Sequence, residues 1–307
     1  VSGADARPGA AGQEAAPQRI GALVLHAARR LAQADVDAPR LSAELLAARA
    51  FGLSRLELIL RRDDTPAPDA LALFDTLVAR RAAGEPAAYI LGEREFFGLR
   101  FRVTPDVLIP RPETERIVEI VLNAFPHQCE VRFADFGTGS GALAVALAHS
   151  LPNARGAALD LSPAALSIAR CNAETNGVSG RIACINADFT RFAFTPGCLD
   201  LVVANPPYVT EDEYAELSPE VRDHEPRLAL VSPEAGLAHL RGLLPVARRA
   251  LRAGGLLLCE IGCWQGSGAL ALASQPGSGF LGAQIEPDDA GLDRVLMAWR
   301  GCENALD

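Results

Sequence analysis

From Val131 onward the chain alternates short apolar runs with helix-like stretches, and this alternation constrains the fold more than any other feature. Runs at Val131–Phe136, Gly156–Leu161, Arg181–Asn186, Leu199–Ala204, Gly255–Ile261, Gly279–Ile285 and Arg294–Trp299 have the length of strands, with helical stretches between most of them. Strands separated by helices predict a doubly wound, Rossmann-like α/β domain. Ligands of such domains bind outside the carboxyl ends of the strands. Functional residues are therefore expected just after the strands.

After the first strand comes Asp135-Phe136-Gly137-Thr138-Gly139-Ser140-Gly141, followed by a helix over Ala142–His149. Glycines there permit a tight turn and let a ligand approach the backbone, with helix N–H groups pointing at it. Gly137, Thr138, Gly139, Ser140 and Gly141 are the candidate cofactor loop. The segment also fits the dinucleotide pattern G-x-G-x-x-A, so it does not by itself separate a nicotinamide cofactor from another nucleoside. Asp160 closes the second strand, where an acid can accept hydrogen bonds from both ribose hydroxyls. It can equally serve as a helix N-terminal acid before Ser162-Pro163. Asp188 and Phe189 follow the third strand. They suit an adenine held by its amino group and its face, or an ordinary loop acid beside a core ring.

The fourth strand ends at Asn205-Pro206-Pro207-Tyr208. Two prolines stop the ladder and stiffen the turn. They leave a side-chain amide, the Pro206 carbonyl and an aromatic ring at the strand's end. Asn205 and Pro206 can each accept one N–H of a planar –NH2 group while Tyr208 lies against its plane. A hydride-transfer enzyme has no need of such a grip. A methyl-transfer enzyme acting on a planar nitrogen with S-adenosylmethionine does. Asn205, Pro206, Pro207 and Tyr208 are the candidate catalytic set, with Asn205 also near the cofactor.

The N-terminal part reads differently. Residues 1–18 are rich in Ala and Gly, lack an apolar core and are expected to be a flexible tail. Residues 19–87 read as a small helical bundle. Ile20, Leu23, Val24, Ala27, Ala28 and Leu31 share one helical face, and Leu41, Leu45 and Ala48 repeat the spacing. Ser54 with Glu57 forms a capping-box pattern, and a helix from Pro68-Asp69 should stop at Gly84. Residues 88–112 are expected to be a β-hairpin linker with Gly98 at its turn. A methyltransferase domain should fill 113–307, its first helix opening near Glu113.

A formal net charge of -9 argues against a substrate gripped by its phosphate backbone, so no direct nucleic-acid contact is expected. No apolar run reaches the length of a membrane span. Seven scattered cysteines, an odd number, fit reduced thiols and a cytoplasmic location. Cys259 and Cys263 are the only close pair, with no second pair or His beside them, so no metal is expected.

The glycine loop, Asp160 and the Asn-Pro-Pro-Tyr turn together resemble class I S-adenosylmethionine methyltransferases that modify planar nitrogens. Gly84–Gly92, Glu95–Leu99, Leu108-Ile109-Pro110-Arg111-Pro112-Glu113-Thr114-Glu115, Glu225–Leu230 and Glu260-Ile261-Gly262 narrow this further. Over roughly Arg19 to Arg300 the chain resembles the HemK/PrmC protein-(glutamine-N5) methyltransferases. The turn alone is shared with amino-methylating DNA enzymes; its combination with Pro-Arg-Pro-Glu-Thr-Glu is highly specific. The resemblance implies S-adenosylmethionine as cofactor and class 1 peptide chain release factors as partners. The acceptor would be the glutamine amide of their Gly-Gly-Gln motif. It implies that Gly137 to Gly141 surround the methionine part, Asp160 the ribose and Phe189 the adenine, with Asn205 to Tyr208 on the glutamine amide. The family often has Trp where Phe189 stands, and Val231–Leu237 departs from its usual Gly- and Asp-containing loop, which should alter loop shape rather than chemistry. The alternatives are a nucleic-acid amino methyltransferase, a glutamine methyltransferase acting on a ribosomal protein, and a non-catalytic assembly protein.

Overall fold

The computed structural model describes residues 19–301; the tail expected over 1–18 lies outside the described residues. The chain divides into two compact units between Leu91 and Gly92.

The first unit holds five helices, α1 (Ile20–Gln33), α2 (Pro39–Phe51), α3 (Arg55–Leu60), α4 (Pro68–Ala82) and α5 (Ala87–Leu91). Helix α1 buries Ile20, Leu23, Ala27 and Leu31, with Val24 and Ala28 packed at the edge of the same cluster. In α2 the buried face is Ala43, Leu46, Ala47 and Ala50, while Leu41 is exposed and Leu45 only half-buried. The expected stripe of Leu41, Leu45 and Ala48 is therefore rotated by about one residue. The cause is composition: alanines and leucines occur all round this helix, so spacing alone does not single out the face that small residues bring closest to α1. Ser54 and Glu57 form the expected capping box, the Glu57 carboxylate accepting from Ser54 N at 2.7 Å. Helix α4 opens on Pro68 and gives way at Gly84, whose φ is +95°. Helix α5 was not foreseen. Pro86 O accepts from Tyr89 N and Ile90 N, and Ile90 joins the helical core, so residues 87–91 close this unit rather than begin a linker.

The second unit opens with a hairpin of β1 (Glu93–Phe96) and β2 (Leu99–Arg102), paired antiparallel around Phe97 and Gly98. Both turn residues have positive φ, +50° and +72°, the geometry that matches the twist of two tightly joined strands. A seven-stranded sheet follows, built from β3 (Arg132–Phe136), β4 (Arg155–Asp160), β5 (Ile182–Asn186), β6 (Leu199–Ala204), β7 (Leu251–Glu260), β8 (Phe280–Pro287) and β9 (Asp293–Arg300). The helices are α6 (Glu115–Ala124), α7 (Ala142–Ser150), α8 (Pro163–Thr175), α9 (Glu211–Glu216), α10 (Pro219–His224), α11 (Ala238–Ala250) and α12 (Gly266–Ala273). The strand order is β5-β4-β3-β6-β7-β9-β8, with β9 alone running antiparallel to its neighbours.

Both sheet faces are covered. Phe133, Leu201, Val203, Leu256, Leu258 and Val295 point into a core shared with α6 and α7. The alternate residues Ala134, Phe136, Val202, Ala204, Leu257, Cys259 and Leu296 point into a second core with α11 and α12. Period-two alternation between two apolar layers explains why these strands read as unbroken hydrophobic runs.

The hairpin belongs to this unit. Phe96 and Phe101 meet edge to face at 6.0 Å inside the first of these cores. Buried Asn172 on α8 accepts from Arg102 N at 2.7 Å and donates to Arg102 O at 3.0 Å. Phe97 N donates to Glu115 Oε1 at 2.9 Å. Residues 93–102 are thus a wall of the α/β unit and not a linker, because an edge strand whose backbone pairs with a buried amide cannot swing free.

Candidate active site

Phe136 pairs with Leu159 on one side and Ala204 on the other. Gly137 and Asn205 therefore leave adjacent parallel strands side by side, one residue past the same paired position. The strand order reverses here, since β4 and β5 continue one way and β6 and β7 the other. The crevice of a doubly wound sheet opens at this switch point.

Gly137, Gly139 and Gly141 all have positive φ, +75°, +54° and +83°. A Cβ on Gly141 would lie 3.1 Å from Ala169 Cβ and 3.2 Å from its Cα, so the loop turns against α8 where a side chain has no room. Gly137 N and Thr138 N both donate to Leu159 O, at 2.9 and 2.8 Å. Beneath the loop, buried Asp135 accepts from Thr138 Oγ1 at 2.6 Å and Ala144 N at 3.2 Å. Burial pushes its carboxyl up to about 7, against the pull of those hydrogen bonds.

Asp160 accepts from Gly139 N at 2.8 Å on one oxygen and from Ser162 N at 2.9 Å on the other, and burial raises its pKa. It joins the glycine loop to the start of α8. Leu161 N–H also bonds it, and a carboxylate has about four acceptor positions, so there is still room for a ligand's hydroxyl. Asp188 accepts from Thr190 N and Thr190 Oγ1 at 2.9 and 2.6 Å. The Phe189 ring is buried and stacked on Phe136, centroids 5.8 Å apart and planes 12° from parallel.

These residues surround one cavity of about 270 Å³. Gly137, Thr138, Gly139, Ser140, Asp160, Asp188, Phe189, Asn205 and Pro207 line it. Gly141, Pro206 and Tyr208 are not among the lining residues. Acceptors at Asp160 and Asp188, an aromatic ring at Phe189 and apolar Leu161 and Ala165 suit a nucleoside with hydroxyls, an amino group and a flat face. S-adenosylmethionine fits that set. The cavity is also lined by Asn205, Pro207, Thr114 and a strap that contributes Asp106, Val107, Leu108, Pro110 and Arg111.

Several contacts here join motifs far apart in the sequence, and spacing alone does not show them. Asn205 Nδ2 donates to Thr114 Oγ1 at 3.1 Å, and Thr114 Oγ1 donates to Glu260 Oε2 at 2.6 Å. The Tyr208 hydroxyl donates to Glu260 Oε1 at 3.2 Å. Burial pushes the Glu260 carboxyl up, opposed by these hydrogen bonds and by Arg294; burial also pushes the Tyr208 phenol well above its ordinary value, so it stays protonated. Arg111 donates to buried Glu225 at 2.5 Å, and the second Glu225 oxygen accepts from Ile109 N at 3.0 Å. This pair ties the strap to the segment that carries Pro226 and Leu228, which also line the cavity.

His224 ends α10 and does not line the cavity. His239 does. Its Nδ1 lies 2.8 Å from Ser232 Oγ, its ring bonds the Pro207 backbone, and burial lowers its pKa, keeping it neutral. In Val231–Leu237 the residues Glu234, Ala235 and Gly236 all have positive φ. Buried Gln265 holds this bend by donating at 3.1 Å to both Ala235 O and Tyr208 O.

Among the described residues no group of three or more His, Cys, Asp or Glu is placed to hold a metal ion, and no helix is long and apolar enough to cross a membrane.

The family model "PrmC N-terminal domain" matches residues 22–92, and "Methyltransferase small domain" matches residues 114–219. A protein of Nitratidesulfovibrio vulgaris named release factor glutamine methyltransferase is 46% identical over 278 residues, spanning 91% of this chain and 94% of that protein. One of the same name from Moorella thermoacetica is 46% identical over 275 residues, spanning 89% of this chain and 96% of that protein. Among solved structures, the hMettl16 catalytic domain in complex with a MAT2A 3′UTR hairpin superposes with a TM-score of 0.54. It is 19% identical and covers 74% of this chain and 83% of that one, a likeness of fold alone.

Proposed function

Because the chain belongs to the release factor glutamine methyltransferase family, we propose that it methylates the side-chain amide nitrogen of the Gly-Gly-Gln glutamine in a class 1 peptide chain release factor. One observation carries the reading: the cofactor loop and Asn205 leave adjacent strands at the same level, so a bound nucleoside and an amide acceptor share one cavity.

When bound, S-adenosylmethionine supplies an electrophilic methyl group. The chain's task is to hold a poor nucleophile in line with it, where placement is the main source of rate. Asn205 Oδ1 accepts one amide N–H, which favours the positive charge that develops on nitrogen; the Pro206 carbonyl, expected to take the other, belongs to a residue outside the cavity lining. Asp160 and Asp188 take the hydroxyl and amino donors of the nucleoside, and Phe189 lies along its flat face. Burial holds the His239 imidazole below its ordinary pKa, and its Nδ1 is paired with Ser232 Oγ. The amide proton is left to depart to solvent once alkylation has made it acidic. A net charge of -9 supports a protein acceptor over a phosphate backbone. Free thiols at the described cysteines support a cytosolic setting.

The test is methyl transfer from labelled S-adenosylmethionine to a purified release factor, to its variant with alanine in place of the Gly-Gly-Gln glutamine, and to duplex DNA. Label on the unaltered factor alone is expected. Label on DNA, or equal label on the variant factor, overturns the assignment.

A further inference from the structure

Glu260 ends β7 and is 1% exposed. Both its oxygens are taken, one by the Tyr208 hydroxyl and one by Thr114 Oγ1. A hydroxyl has one proton to give and lone pairs to receive with. The Thr114 proton goes to Glu260, so only lone pairs remain toward Asn205, 3.1 Å away. Asn205 must then offer its –NH2 to Thr114 and its oxygen to the cavity. The two ends of a side-chain amide are nearly the same shape, and their hydrogen-bond partners decide which end is which.

We propose that Thr114 and Glu260 are positioning residues that set the polarity of the Asn205 amide, so that an acceptor rather than a donor meets the substrate nitrogen. The proposal rests on the reading that Asn205 holds the glutamine amide. Its physical content is directional. An Asn205 turned end for end would bring –NH2 against –NH2, two donors with no acceptor between them, and the grip would be lost without any change of shape.

Direction can be reversed by substitution. Glu260→Gln keeps the size of the side chain. The Tyr208 hydroxyl needs the glutamine oxygen, so the new –NH2 faces Thr114. Thr114 then accepts from it and gives its own proton to residue 205, which turns the Asn205 amide round. Asn205→Asp has an acceptor at both ends. Alone, it sets a carboxylate oxygen against the Thr114 lone pairs. Paired with Glu260→Gln, it receives the Thr114 proton and still presents an oxygen to the cavity.

The experiment measures kcat and KM on a release factor, together with calorimetric affinity for S-adenosylmethionine, for the unaltered chain, Thr114→Val, Thr114→Ser, Glu260→Gln, Asn205→Asp and the double variant Glu260→Gln/Asn205→Asp. Thr114→Val and Glu260→Gln should each lower kcat by about 100-fold, the scale of a displaced reacting group, with cofactor affinity retained. Thr114→Ser keeps the hydroxyl and should stay within about threefold, and the double variant should exceed Glu260→Gln by about tenfold. Normal kcat in Thr114→Val overturns the proposal, as do losses in Glu260→Gln and Asn205→Asp that simply multiply in the double variant. If Glu260→Gln does not fold, the Thr114→Val and Thr114→Ser pair decides alone. An unaltered chain that leaves the glutamine unlabelled sinks the functional reading instead, before any variant is compared.

Discussion

At the residue scale, the site depends on a few groups whose surroundings fix what they can donate or accept. Asn205→Ala removes the acceptor oxygen but no group of the glycine loop. Turnover should fall about 100-fold or more, the cost of deleting one preorganised polar contact, while calorimetry finds cofactor affinity largely retained. Asp135 gives a pH signature of its own. Its folded pKa of about 7 stands above the ordinary 3.8, so the folded chain keeps a proton that the unfolded chain has released. The stability this contributes is fully present below 3.8 and is lost as pH rises through 7. Thermal melting of the ligand-free chain should therefore drop between about pH 4 and pH 7, and Asp135→Asn should flatten part of that drop. An unchanged slope in the variant would refute the assignment of the titration to this carboxyl. Residues like these differ in how readable they are. Gly137, Gly139, Gly141 and the Asn205–Tyr208 turn announce themselves because local backbone geometry demands those residue types. Thr114 and Glu260 stand in runs that mark the family resemblance, but their link to Asn205 is not legible, since the bonded partners lie 91 and 146 positions apart and no local rule joins them.

At the scale of elements, the central strands β3, β6 and β7 are legible because they are buried on both faces, which turns a strand into a plain apolar run. The antiparallel direction of β9 was not, because a run of apolar residues has no arrow. Helix α2 was misread for a related reason: with small apolar residues on most sides, its core-facing stripe depends on which neighbour it meets. The hairpin was seen as a hairpin but misjudged as a linker, since what fixes it is Asn172, 70 residues on. That amide also donates to Ser140 O at 2.8 Å, so one side chain joins the hairpin, α8 and the cofactor loop. Asn172→Ala leaves Arg102 N, Arg102 O and Ser140 O without this partner. It should cost about 3 kcal/mol in urea unfolding, the scale of buried polar groups left unpaired. Weaker cofactor binding should accompany the loss, because Ser140 lines the cavity. Stability within error of the unaltered chain would mean that the hairpin is held by its phenylalanines alone.

At the scale of the whole molecule, the helical core is built entirely from residues 20–91 and the two sheet cores entirely from residues after Gly92. Every residue lining the cavity also comes from the second unit. A fragment starting at Gly92 should therefore fold and bind S-adenosylmethionine with the affinity of the whole chain. Calorimetry on the fragment checks this, and absence of binding would show that the helical unit is needed to form the cavity. The strand order has a further consequence, for assembly on the ribosome. Among the described residues strand β8 pairs only with β9, and β9 also covers the edge of β7. During synthesis, β8 emerges with no neighbour to join, and the sheet must wait with an open edge until Asp293–Arg300 arrives and inserts between two strands already made. The nascent chain is thus most exposed to sticky mispairing in the interval between those two strands, and a ribosome stalled there would display an unfinished sheet.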